Sequence, residues 1–443
     1  MTDATEDPLD ASRGHLARGD FKAAARALRT AFAADTLDSE RLGEAMEVLR
    51  AVARGLHLVD LSRALSGVLR TAPTFLQRLL GRSGEPTAAA WLAAGWACVD
   101  VGLPEAAVHI LRRGLTLSPG QLDLVAGLMA TLGHANRHAD AVEVAAQAPD
   151  GTRSSPLVRS LRCRHLLLSG RLDAARAQAE TLDRDDPDLR PLHDELRRML
   201  ARAALVEGTT ALDNRDLRGW QFVLTGTLIT HLSPYGRDDG MAGRWAFVQD
   251  QGSEVHLGLS RLASVLAALG VPPARVLHAS DRGSVLVASA CARLLDLPLA
   301  ELDGGPGLVV VDDLAALSDE ALSHLRAHRP DRLLYAHAQC WTQEGQVAPD
   351  VVTVLYQHRT APWEAQIRID PETRTVKTTD PDPRPTAEIV DGILSSALEA
   401  DPDDGVDAVV KIATAARAAF VHRSGARDRF LGGSGPVPSS RFL

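Results

Sequence analysis

Apolar positions recur at helical spacing through the first half of the chain and change to short runs and alternations in the second. Segments beginning at Ala88, Leu122 and Pro156 align with a constant offset of 34 residues. Gly102, Asn136 and Gly170 fall in one column, and Ala107, Ala141 and Ala175 in another. Gly and Asn tolerate the left-handed backbone of a tight turn, and Ala lets two helices approach closely, so each unit reads as a helical hairpin. A poorer copy, "HLARGDFKAAARALRTAF", places Gly19 and Ala24 in the same columns. Further amphipathic helices in another register separate it from Ala88, and Arg190 to Val206 reads as a helix capping the stack.

After Gly219 the period shortens. "WQFVLTGTLITHL" alternates large and polar residues and reads as a strand, joined through the loop "SPYGRDDGMAG" to a second strand, "RWAFVQ", as a hairpin. From Glu254 helices and strands alternate: helix 254–269, strand 275–280, helix 284–295, short strand 298–302, strand 307–312, helix 319–328 and strand 332–338. Such alternation predicts a mainly parallel sheet covered by helices, and the continuous run Val309, Val310, Val311 suits a central strand. Strands near Val351–Gln357 and Ala365–Ile369 extend the sheet. "DPDPRP" is a linker, helices follow at 387–399 and 405–421, and "GGSGPVPSSRFL" ends the chain as a flexible tail. The fold class is therefore α plus α/β, an α-helical solenoid followed by a mainly parallel α/β domain with an added hairpin and C-terminal helices. The expected boundaries are 1–210, 215–380, 385–423 and 424–443.

In the unit that starts at Ala88, Trp91, Gly95, Gly102, Ala107 and Pro119 stand in the favoured columns of the tetratricopeptide repeat, which this half resembles. The resemblance implies a superhelix whose concave side docks a protein partner. Leu92, Trp96 and Asp100, then Ala126, Ala130 and His134, then Ser160, Arg164 and Leu168, would line that side. The set lacks the lysines and asparagines that hold an acidic C-terminal peptide. A hydrophobic segment of another protein, or this protein's own second domain, would fill it.

Charge and composition narrow the rest. A net charge of −9 offers no basic face for nucleic acid. The only lysines, Lys22, Lys377 and Lys411, follow no glycine-rich turn, so a GxxxxGK[ST] phosphate loop is excluded. Cys98, Cys163, Cys291 and Cys340 are too scattered for a zinc site. His134 with His138, and His324 with His328, have i,i+4 spacing, but the second pair lacks the glutamate of HExxH and His134 falls near a turn, so no metal site is expected. An acidic N-terminus and the absence of a long apolar run indicate a cytoplasmic, soluble chain without membrane contact.

Candidate chemistry lies at strand ends, where parallel sheets bind ligands. Arg282, Gly283 and Ser284 follow one strand and open a helix whose amides could bind an anion. Asp312 and Asp313 end the next. This arrangement, from Arg275 to Ala338, resembles the type I phosphoribosyltransferases, and the resemblance implies pyrophosphate at Arg282–Ser284 and ribose hydroxyls at the acidic pair. The chain departs from that family where a Thr-Gly loop should hold the 5′-phosphate. "LAALSDEAL" offers no glycine and places Asp319 and Glu320 on the following helix turn. The expected function is an interaction scaffold with a non-catalytic phosphoribosyltransferase-like domain and no cofactor. The alternative is a phosphoribosyl- or nucleotide-dependent transferase or sensor, binding a small phosphorylated ligand at Arg282–Ser284, with Asp312 and Asp313 on a sugar or a magnesium ion.

Overall fold

The structure, a computed structural model, describes residues 7–33, 37–69, 86–183, 186–236, 240–343, 347–369, 375–396, 404–421, 425–429 and 433–439. The chain divides into two compact units, Met1–Leu196 and Arg197–Leu443.

The first unit is helical. Hairpins form from α1 (Pro8–Ala17) and α2 (Phe21–Ala33), α3 (Ser39–Gly55) and α4 (Val59–Leu69), α5 (Ala88–Asp100) and α6 (Pro104–Leu117), α7 (Leu122–His134) and α8 (His138–Gln147), and α9 (Pro156–Leu168) and α10 (Leu172–Ala179). α11 (Arg190–Val206) follows, and the boundary between the units falls inside it. The last three hairpins start at residues 88, 122 and 156, which reproduces the offset in the sequence. Every hairpin turns through one left-handed residue placed two before its second helix: Gly19, His57, Gly102, Asn136 and Gly170, with φ between 56° and 78°. The closure is the same each time. In the third hairpin Gly102 N–H donates to Val99 O (2.9 Å) and Leu103 N–H to Cys98 O (2.8 Å), the paired bonds that satisfy a helix end. Small residues then let neighbouring helices meet, with Ala94, Ala107, Ala141, Ala145 and Ala175 all fully buried.

The second unit is built on a seven-stranded parallel sheet. Its strands are β1 (Leu228–Ile229), β2 (Trp245–Gln249), β3 (Val276–His278), β4 (Leu299–Glu301), β5 (Gly307–Asp313), β7 (Arg332–Cys340) and β8 (Val351–Thr360), while β6 (Ala327–His328) lies apart. The order is β4-β3-β5-β7-β8, with β1 and β2 both paired to β8. In this doubly wound order the chain steps from β3 to one side for β4 and to the other for β5, which puts the switch point between β3 and β5. α13 (Gly252–Leu269), α14 (Arg282–Leu295), α16 (Thr386–Ser395) and α17 (Val406–Val421) pack against one another, and α14 lies along β5. α15 (Asp319–Leu325) is a short helix after β5.

Four local expectations are corrected. Leu217–Thr225 is a helix, α12, not a strand. Asp216 caps it by accepting the Gly219 N–H (2.8 Å), left-handed Gly226 ends it, and all nine of its residues are buried, so the polar alternation there marks no faces. Consequently "WQFVLTGTLITHL" and "RWAFVQ" form no hairpin; β1 and β2 run in tandem and parallel along one edge of β8. The strand expected near Ala365–Ile369 does not extend the sheet: β9 (Ile367–Ile369) pairs antiparallel with β10 (Val376–Thr378) as a hairpin outside it. The described part of the C-terminal tail is packed rather than free: β11 (Gly425–Ala426) pairs with β6, and Ser434 and Val437 are buried, because Ser434 donates to Gln221 Oε1 (2.9 Å).

Candidate functional site

Both stretches singled out for chemistry meet at the switch point. Asp312 N–H donates to Ser284 Oγ (3.1 Å), and a Cβ on Gly283 would fall 2.6 Å from Asp312 Oδ2. Glycine at 283 is therefore required by the close approach of α14 to the end of β5. The helix begins at Arg282, two residues earlier than the sequence suggested, and Asp281 caps it by accepting the Ser284 N–H (2.8 Å). A carboxylate thus stands at the helix end where an anion was expected. The Arg282 guanidinium turns away to donate to Asp382 O.

Residues that the sequence did not single out complete the arrangement. Arg359, near the end of β8, reaches past β7 to Asp312, with Nη2 donating to Oδ1 (2.8 Å) and Nη1 to Oδ2 (3.1 Å). Its Nε and Nη2 also donate to Asp250 Oδ2, at the end of β2 (3.1 and 2.8 Å), and His337 Nε2 meets the same oxygen (2.7 Å). All three guanidinium nitrogens are engaged. Asp313 accepts from the Tyr356 hydroxyl and from the Ala315 N–H (2.9 Å).

Electrostatics follow from this burial. Desolvation penalises the Arg359 cation, but Asp312 and Asp250 hold its pKa well above the ordinary value. Desolvation also penalises the Asp250 carboxylate, and His337 and Arg359 together keep its pKa below the usual range. Burial raises Asp313, against the lowering effect of its Tyr356 hydrogen bond. Glu254, on α13, is pushed up to about 8 by burial and by its hydrogen bond and charge repulsion with Asp250.

A second buried network lies near the end of β1. Asp404 receives Arg218 (2.5 Å), Arg261 (2.7 Å) and His231 (2.5 Å), while Arg218 Nε donates to Ile229 O (2.9 Å). Burial opposes this carboxylate, yet His231 and the two arginines bring it down to about 2. Among the described residues, no group of three or more His, Cys, Asp or Glu side chains is placed to hold a metal.

No family model matches the chain, and no curated protein matches it. It is similar to the crystal structure of a thermophilic TPR protein from Thermus thermophilus, at 21% identity and a TM-score of 0.25, over 44% of this chain and 99% of that one.

Residues expected on the concave side occupy successive first helices of the hairpins. Leu92 on α5 packs against Gly127 on α7. Trp96 and His134 meet edge to face, with ring centres 6.3 Å apart. Asp100 is exposed, and Ala126 and Ala130 are half-buried. Ser160 and Leu168 are buried, and Ser160 Oγ is hydrogen-bonded to His193 Nε2 (2.8 Å). Arg164 lies 3.8 Å from Glu195, so α11 already engages the α9 end of this row. Among the described residues no helix is long and apolar enough to cross a membrane.

Proposed function

We propose that the chain is a protein–protein interaction scaffold in which the helical repeats dock a protein partner and the α/β unit, patterned like a phosphoribosyltransferase, is non-catalytic. Arg359 carries this reading. Its side chain is only 4% exposed and is held between Asp312 and Asp250, so the carboxylate that would face ribose hydroxyls is taken up by an internal ion pair. Asp313 is engaged by Tyr356 beside it.

A magnesium ion at the acidic pair would have to displace a buried guanidinium, and stripping one partner from such a pair is strongly unfavourable. That donor set does not fit the cation that the transferase alternative needs. Phosphate at Arg282–Ser284 would compete with the Asp281 carboxylate for the same amide. Leu92, Trp96 and His134 support docking of an apolar protein segment on α5 and α7, beyond the part of the row that α11 engages. Nothing in the charge distribution favours nucleic acid or a membrane surface, and the compartment that fits is the cytoplasm.

Calorimetric titration of the intact chain with phosphoribosyl pyrophosphate or nucleotides, with and without magnesium, is expected to give no heat at millimolar ligand. Saturable binding that Asp312→Asn abolishes would sink the scaffold reading and favour a transferase or sensor. For docking, a photo-crosslinker at position 96 is expected to yield one discrete protein adduct, and Trp96→Ala to lose the partner while keeping the circular dichroism of the native chain. Capture that is indifferent to Trp96 excludes this face.

A further inference from the structure

Arg244 immediately precedes β2 and is only 1% exposed. Its Nη1 donates to Met241 O (3.2 Å) and Pro438 O (2.7 Å), and its guanidinium carbon lies 5.2 Å from the centre of the Trp341 ring. Nε and Nη2 are equally buried and have no hydrogen-bond partner among the described residues. No carboxylate among the described residues pairs with this cation. Burial alone therefore acts on it, pulling its pKa down to about 9.

Nε and Nη2 form the edge of a guanidinium that presents two parallel N–H groups, the geometry that receives a carboxylate or phosphate by two bonds at once. Five arginines of the same unit fill this edge. Arg359 presents it to Asp250, Arg198 to Asp428, Arg329 to Asp331 and Arg384 to Asp382, while Arg332 gives it to Gly305 O. A buried cation with two open donors is costly, and an oxyanion against that edge removes both the unpaired charge and the unmet hydrogen bonds.

We infer that the Nε–Nη2 edge of Arg244 is a binding seat for one small oxyanion, the carboxylate or phosphate group of a ligand. The Trp341 ring and the Met241 and Pro438 carbonyls already occupy the rest of the guanidinium, so the seat takes a single anionic group and not an extended polyanion. This site shares no residue with the Asp312 network.

The test is thermal unfolding of the full chain at constant ionic strength, with sodium chloride replaced stepwise by inorganic phosphate in one arm and acetate in the other. A seated anion raises the melting temperature saturably, as one-site linkage requires. Phosphate alone, acetate alone or both responding identifies which group is accepted. Arg244→Met removes the charge, and Arg244→Lys keeps the charge but loses the paired edge; both are expected to lose the saturable shift. No saturable shift in the wild-type chain with either anion overturns the assignment, as does a shift that persists in whichever variant folds. A high-resolution structure in phosphate and acetate that places only water at Nε and Nη2 overturns it equally.

Discussion

Acidification is expected to loosen the helical unit at one place, the contact between α8 and α9. His138 and His165 are buried there with Nδ1 atoms 3.2 Å apart and ring centres 5.4 Å apart. Desolvation, aided by the Arg164 charge, lowers His138 to about 4; desolvation, the facing His138 and Arg164 lower His165 to about 3. Nε2 of His165 is buried without a partner among the described residues, so a proton arriving there finds no acceptor among them. Both folded-state values lie below the unfolded value of 6.5, so below that pH the unfolded chain binds more protons than the folded one. Stability is therefore unaffected above pH 6.5 and falls as the pH drops from 6.5 towards the folded-state values. At pH 5 the loss is about 2 kcal/mol for each imidazole, from the linkage relation at 1.36 kcal/mol per pKa unit. Hydrogen exchange of α8 and α9 amides between pH 7 and pH 5, corrected for intrinsic rates, measures the opening free energy of this contact. The variant with His138→Asn and His165→Asn keeps polar side-chain atoms near both Nδ1 positions and cannot titrate. It is expected to flatten the pH dependence. A wild-type profile that is already flat over this range, or an equal slope in the double variant, refutes the reasoning.

Arg359→Met leaves Asp250 and Asp312 buried without their cation and is expected to cost about 3–5 kcal/mol by urea unfolding; a cost under about 1 kcal/mol would mean that the pair is screened by water. Gly102→Ala forces an alanine into a left-handed turn and is expected to destabilise by about 1 kcal/mol, whereas Asn136→Gly in the equivalent turn is expected to be neutral or stabilising. Equal effects of the two substitutions on the denaturation midpoint would remove the turn argument. Glu254 has a folded-state value of about 8 against 4.5 unfolded, so it favours the folded state at low pH and loses that contribution as pH rises from 4.5 through 8. Glu254→Gln is expected to hold the melting temperature steadier than wild type between pH 6 and pH 9.

What the sequence disclosed depends on the range of the interaction concerned. Gly102, Asn136 and Gly170 are legible because a left-handed turn leaves a compositional trace at fixed spacing. His57 performs the same turn unseen, since histidine is common elsewhere and its hairpin breaks the offset. The strand ending in Asp312 and Asp313 is visible as an apolar run with polar punctuation. Arg359 is not, because strand order decides its partner: it sits 47 residues from Asp312, on a strand that is not even adjacent. A charged residue near the end of a buried strand, as in "VVTVLYQHRT", was the available signal. Helix α12 reads as a strand because its burial on all sides erases the amphipathic period, leaving Asp216 and Gly226 as its only local markers.

The tandem placement of β1 and β2 has a consequence for how this unit can vary. Leu228 and Ile229 register on Val351 and Val352, and Trp245 registers independently on Tyr356, so the chain leaves the β8 edge and rejoins it further along. Each strand is indexed by β8 and not by the other. Residues inserted beyond Ser233, after the His231 contact with Asp404 and before Met241 and Arg244, therefore need not shift the pairing on either side, and the excursion can lengthen there while the sheet beneath it keeps its alignment.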